Sequence, residues 1–293
     1  MNWQDIRERA LAAYLGFAVG DALGATTEFM RPQEIKARYN IHKEVTGGGW
    51  LHLKPGRVTD DTEMSLALGE ALVSSGTMDE TCVADSFVDW MSSKPADIGH
   101  TIRQELSRYK LFGRPRARYS EYANSNGAVM RNLPVIIATL QTPELLCDWS
   151  IRQGQITHNN ESAAIGMLIL SKLTRLTIVY AQNTPHKSLT SQWFKLHPRF
   201  DYARYKRSID GYIVDTVRTV LYFFFNTSDF ESCLIGVVNA GGDTDTNGAL
   251  AGMLAGSFYG LNAIPGRWLS RMDDSIVSRI QEQTKALINC FWD

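Results

Sequence analysis

Two short segments, Thr59-Asp60-Asp61-Thr62-Glu63 and Asp243-Thr244-Asp245-Thr246, each gather carboxylates and hydroxyls within a few residues. Neighbouring carboxylates repel unless a cation sits between them, and hydroxyl oxygens beside them complete an all-oxygen donor set. Without Cys or clustered His, such a set selects hard cations, Mg²⁺ or Mn²⁺, over zinc or copper. The two segments read as halves of one site. Four or more carboxylates can hold two ions about 3.5–4 Å apart, which polarise a water and substrate oxygens. The competing reading is helix capping, in which Thr or Asp before a helix and acids in its first turn satisfy free N–H groups. Capping accounts for either segment alone and less well for their repetition.

Other polar residues stand at bends between apolar runs. Glu28 follows Gly20-Asp21-Ala22-Leu23-Gly24 and precedes Arg31-Pro32, where Pro32 disfavours helix at Arg31; its plain alternative is a solvated loop carboxylate. Pro95 and Gly99 shape a loop that carries Asp97 and His100, an acid and a base with no capping explanation. Asn124 to Arg131 places Gly127 in a polar turn before an apolar run, where backbone N–H groups can cradle a phosphate. Thr157-His158 also precedes an apolar helix, and a lone His there is more often a packing or capping residue than a catalyst. Arg103, Arg108, Lys110, Arg114, Arg116 and Arg118 form a charge run, either a solvated face or a contact for an anion or partner.

The elements that must position these groups are helical by period. Apolar residues at Ile6, Ala10, Ala13, Tyr14 and Phe17 predict a helix from Trp3 to Val19, ending at Gly20-Asp21-Ala22-Leu23-Gly24. Further helices are expected after Thr59 as far as Gly76, over 81–91, through Leu133 and Ile136, over 163–176, over 210–225 and over 275–291. The run from Gly248 to Gly256 is so rich in small residues that its helix should be buried on most sides, holding an acidic N-terminus rigidly in the interior. Residues 181–208 read as a long connection, and no segment alternates with period two. The expected fold is all-α, a single multi-helix domain over residues 1–293.

Composition narrows the class. In 293 residues, 44% hydrophobic and 21% charged, a sizeable core is available. A net charge of -1 gives no global attraction to nucleic acid or to an anionic membrane. Cys82, Cys147, Cys233 and Cys290 are scattered and form no C-x-x-C pair, which argues against a zinc ribbon or disulfide framework. The N-terminus is charged where a signal peptide would be apolar, and no stretch reaches the ~18 uncharged apolar residues of a membrane span, so the expected location is cytoplasmic.

Thr59 to Met64, Pro95 to Thr101, Asn126 to Arg131, Thr157-His158 and Gly241 to Gly248, in this order, resemble the motifs of the ADP-ribosylglycohydrolase family. The resemblance implies an all-α fold with two Mn²⁺ or Mg²⁺ ions in a cleft. It makes Thr59, Asp60, Asp61, Asp243, Asp245 and Thr246 the ligands. Glu28 falls near the metals and Asp97 faces the ribose; either could handle protons. Gly127 to Met130, Ala128 among them, would line the diphosphate, Ile98, Gly99, His100, Thr101 and His158 would contact the ribose side, and Asn126 would also bind substrate. The implied reaction is hydrolysis of the N-glycosidic bond between ribose C1 and a protein arginine. The Pro95 to Thr101 stretch and the chain length favour the branch that acts on the nitrogenase iron protein, dinitrogenase reductase. That branch brings a PII-type signalling protein as an expected partner, with reversible membrane recruitment. Alternatives are hydrolysis of serine-linked ADP-ribose, a metal-dependent phosphoester hydrolase and a non-catalytic ADP-ribose binder.

Overall fold

In the computed structural model, which describes residues 2–181, 186–208 and 210–292, the long elements are all helices, with no β-strand among the described residues. In chain order they are α1 (Trp3–Gly24), α2 (Pro32–Tyr39), α3 (Asp60–Ser75), α4 (Glu80–Ser92) and α5 (His100–Phe112). Then come α6 (Leu133–Ala138), α7 (Leu145–Gly154), α8 (Glu161–Tyr180), α9 (His186–Leu196) and α10 (Ile213–Asn226). The last four are α11 (Phe230–Val238), α12 (Thr244–Tyr259), α13 (Gly266–Leu269) and α14 (Asp274–Phe291). Local signals set many of the ends. Asp79, Asn160, Asp229 and Asp273 each accept first-turn N–H groups at the starts of α4, α8, α11 and α14, and Gly76 closes α3 in the left-handed region.

Small residues at four-residue spacing decide how the two central helices meet. An added Cβ on Gly16 would stand 2.4 Å from the Gly252 carbonyl oxygen, one on Gly20 2.0 Å from that of Gly248, and one on Gly24 2.0 Å from that of Thr244. Gly256 would meet the Ala12 oxygen at 2.2 Å. The pairs run in opposite directions along the two chains, so α1 and α12 lie antiparallel with backbones in contact. This is why α1 stays helical through Gly20 to Gly24, past its last periodic apolar residue: close packing outweighs the helix cost of glycine, roughly 1 kcal/mol per residue. Gly20→Ala is expected to cost about 1–3 kcal/mol or more through overpacking, which thermal melting would show as a loss of about 2–4 °C per kcal/mol. An unchanged melting temperature would rule out the close approach.

Elsewhere the sequence reading understates the helix content. Pro32 keeps Arg31 extended, as expected, but itself opens the unanticipated α2, because a first-turn proline lacks only an N–H that has no intrahelical partner, and Glu34 reaches back to the Arg31 N–H at 2.6 Å. The charge run from Arg103 hides the amphipathic α5, whose Ile102, Leu106 and Tyr109 are buried. Part of that run is structural. Arg108 pairs with Glu105 and donates to the carbonyls of Arg114 and Arg116, while Arg116 pairs with Glu80. The 181–208 connection contains α9 and two 3-10 turns; its residues 182–185, Pro185 among them, lie outside the described residues.

α8 is 20 residues long and contains an 18-residue window with a mean hydropathy of 1.5, enough by length and composition to cross a membrane although it carries Lys172 and Arg175. Most of its surface is buried within the fold, where it packs as a core helix.

Candidate active site

The antiparallel packing sets the C-terminal end of α1 beside the start of α12. The chain between α1 and α2 is then tied to the turn before α12: the Phe29 N–H donates to the Gly242 oxygen at 2.8 Å and the Gly242 N–H to the Met30 oxygen at 3.1 Å. The Thr27 hydroxyl adds bonds to the carbonyls of Gly24 and Val238. Asn239, the residue that opens the second acidic motif, is a brace rather than a ligand, bonding both the N–H and the carbonyl of His42. Glu28 is thereby held over the acidic end of α12.

Asp21 is the residue that frees the first motif for other work. Its carboxylate, on α1, accepts the Thr59 N–H at 3.0 Å, the Thr62 N–H at 3.2 Å and the Thr62 hydroxyl at 2.5 Å. It therefore caps α3 from a different helix. The Thr59 side chain makes no capping bond to α3, and Asp243 makes none to α12. Capping, the alternative for both motifs, is thus not what these side chains do. Asp21 was absent from the candidate residues of the sequence reading; an acid within an otherwise apolar stretch of α1 was the available signal.

The freed side chains converge. One carboxylate oxygen each from Asp60, Asp61 and Asp245 lie within 4.8 Å of one another, and a second such triad joins Glu28, Asp97 and Asp245. The hydroxyls of Thr59 and Thr246 stand 3.3 and 3.2 Å from Asp61 Oδ2. Asp61 Oδ1 and Asp245 Oδ1 are buried with no hydrogen-bond partner. Burial, then the charges of Asp97 and Asp21, pushes Asp60 up to about 8. Glu28 rises to about 9, mainly through burial; Asp61 is held well above the usual carboxylate range by burial and then the charges of Asp21 and Asp60, and Asp245 by burial and then those of Glu28 and Asp243. Clustered acids with orphaned oxygens and raised pKa values need either protons or cations, and an all-oxygen set fits a hard divalent ion.

A pocket of about 450 Å³ opens above this cluster. Glu28, Asp60, Asp243, Asp245 and Thr246 line its acidic side, and the loop of Asp97, Ile98, Gly99, His100 and Thr101 lines another. The Gly99 N–H donates to Asp60 Oδ2 at 3.3 Å, and Asp97 Oδ1 accepts the Ile98 N–H at 2.7 Å. Asn126, Gly127, Met130 and His158 complete the wall. Asn126 bridges Thr216 Oγ1 and Asp243 Oδ2, at 3.0 and 2.6 Å. Thr59 and Asp61 are buried and lie outside the pocket lining; Ala128 does too, its carbonyl accepting from Gln153 at 2.9 Å. Phe29, Trp50, Ser125 and Gly211 also line the pocket, and the motifs did not point to them.

His158 is in contact with this wall, held between the hydroxyls of Thr157 and Ser125, each 2.8 Å from a ring nitrogen. Burial and the adjacent Arg131 push it down to about 3, so at physiological pH the ring is neutral, with one N–H and one acceptor nitrogen, and takes up no second proton. Arg131, fully buried, donates to Gln153 and Thr157 and lies over the Phe87 ring. Gly127 is small for a reason: a Cβ there would come 2.6 Å from the His158 ring.

The all-α scaffold is that of a known class. The ADP-ribosylglycohydrolase family matches residues 2–292, and the chain belongs to this family. It is 46% identical to the ADP-ribosyl-[dinitrogen reductase] glycohydrolase of Rhodospirillum rubrum, over 98% of both chains. It is 30% identical to the ADP-ribosylarginine hydrolase Tri1 of Pseudomonas putida, covering 90% of this chain and 74% of that protein. A solved ADP-ribosylglycohydrolase-related protein complex superposes with a TM-score of 0.86 and 32% identity, over 98% of this chain and 99% of the other.

Proposed function

We propose that this protein is a hydrolase that removes ADP-ribose from an arginine of a protein, with dinitrogen reductase as its target, by cleaving the bond between ribose C1 and the guanidine nitrogen. The observation that carries the reading is the convergence of buried carboxylates, two with unpartnered oxygens, beneath a pocket large enough for a ligand. The relatives named for arginine-linked and dinitrogen-reductase-linked ADP-ribose support the bond and the target. In this reading residues 1–293 act as one domain.

Thr59, Asp60, Asp61, Asp243, Asp245 and Thr246 would hold two Mn²⁺ or Mg²⁺ ions, which would supply positive charge to orient ribose hydroxyls and polarise a water. The chain's own groups do the rest. The turn at Asn126 to Met130 would take the diphosphate: the Gly127 N–H has no acceptor among the described residues, and Gly127 leaves room for a ligand against His158. Neutral His158, both ring nitrogens held by the Ser125 and Thr157 hydroxyls, would present an uncharged ring to the ribose side. As the guanidine leaves, positive charge develops at C1, and the ionised carboxylates below it stabilise that charge. Glu28 and Asp97, with oxygens within 4.8 Å of each other, are the proton-handling pair; whichever is ionised takes a proton from the attacking water.

The test is release of free ADP-ribose from arginine-ADP-ribosylated dinitrogen reductase, with Mn²⁺ or with chelator, beside a serine-linked substrate. Mn²⁺-dependent release from arginine alone is the expected outcome. Release from serine alone, or phosphate release without ADP-ribose, would overturn it.

A further inference from the structure

We infer that Trp50 is a positioning residue for Glu28, its indole N–H fixing the carboxylate in the pocket wall beside Asp97 and Asp245; this rests on the reading of the site as hydrolytic. Trp50 Nε1 donates to Glu28 Oε2 at 2.6 Å. Among the described residues it is the one donor on that carboxylate, and an indole N–H can only donate, so the bond has a single sense.

The segment that delivers Trp50 is shaped for this contact. Gly47, Gly48 and Gly49 all have positive φ, at 66, 90 and 67°. A Cβ on Gly49 would stand 2.2 Å from the Ala25 oxygen, and one on Gly47 2.5 Å from that of Leu53. Gly48 and Leu53 exchange backbone bonds at 2.7 and 2.9 Å, closing the turn, and the Thr26 hydroxyl bonds the Gly47 carbonyl at 3.1 Å. The turn is therefore seated on Ala25-Thr26, two residues before Glu28.

Core burial does not explain the indole's place. Trp50 is 49% exposed and Phe29, whose ring it meets at 5.5 Å, is 55% exposed. Two large rings left in water beside a pocket surrender much of the burial energy they could gain. What the placement secures is one orientation of a long, flexible acid among Asp60, Asp97 and Asp243. A catalytic group displaced by about 1 Å costs about 10²-fold in rate, which sets the expected size of the effect.

Replacing Trp50 with β-(3-benzothienyl)alanine keeps the bicyclic shape and puts sulfur in place of the N–H; Trp50→Phe is the simpler variant. With arginine-ADP-ribosylated protein, both are expected to lower kcat by about 10–100-fold while KM changes by less than about 3-fold. In a Glu28→Asp background, whose shorter side chain withdraws the carboxylate, the same replacement should have no further effect, because the two residues act as a unit. The Trp50 indole resonance in a ¹H–¹⁵N spectrum, identified by its loss in Trp50→Phe, should shift in Glu28→Asp. Unchanged kcat in the benzothienyl variant, or losses that add in the double variant, would overturn the inference. A rise in KM alone would do so too, by making the ring a binding surface instead. Absence of ADP-ribose release by the wild-type protein would count against the proposed reaction, and the indole resonance would still report the contact.

Discussion

Asp245→Asn is expected to leave a folded protein whose ADP-ribose release falls by more than about 100-fold and which no longer gains thermal stability from Mn²⁺. Asp245 is the shared vertex of both acidic triads, so its loss disrupts each at once. Replacing partners that merely support a metal ligand costs about 10–100-fold in affinity or activity, and removing a central ligand should exceed that. Asn keeps the shape and one carbonyl oxygen, so the effect reads charge and not a cavity. The stability of the metal-free protein should move the opposite way. Asp245 is buried against Glu28, Asp243 and Asp61, and removing one of these repelling acids relieves the cluster. Differential scanning fluorimetry with chelator should show Asp245→Asn melting no lower than wild type, and titration calorimetry should show weakened Mn²⁺ binding. Wild-type turnover, or undiminished Mn²⁺ affinity, would refute the shared site.

The second large effect is on pH dependence without metal. Asp60, at about 8, and Glu28, at about 9, have folded pKa values above their ordinary 3.8 and 4.5, as do Asp61 and Asp245. The folded protein therefore holds protons that the unfolded chain has released. Their stabilising contribution is complete below about pH 4 and is lost as pH rises through the folded values. His158 and His42 are shifted down, and that cost is felt only below the ordinary histidine value of 6.5. From pH 7 to pH 9 the acids act without this opposition. Over that window the chelated protein should lose melting temperature steadily, at about 2–4 °C per kcal/mol. Because cations compete with protons for the same oxygens, Mn²⁺ should bind more tightly as pH rises, so the gap between metal-loaded and chelated melting curves should widen. A flat melting temperature for the chelated protein would mean that the acids are not protonated together in the fold.

Helical period and residue type were enough to indicate an all-α protein, because each apolar stripe repeats within a few turns of its own helix. They also singled out both acidic motifs, since adjacent carboxylates are conspicuous wherever they lie. They could not show that Gly20 belongs inside α1 or that Pro32 starts α2; the first depends on a backbone more than 200 residues away. Nor could they separate ligands from caps. An N-terminal Asp serves either purpose, and the choice was made by Asp21, a carboxylate from another helix that occupies the capping position of α3. Trp50 was equally hidden, because a Gly-rich loop predicts a turn and says nothing about which carboxylate its next side chain will meet. By itself the sequence determined which groups could bind a hard cation and which segments would be helical, both being local properties of residue type and spacing. The repeated motif already read as two halves of one site; only the tertiary structure shows how segments more than 180 residues apart meet, because contacting glycine backbones of α1 and α12 bring the acidic helix starts together.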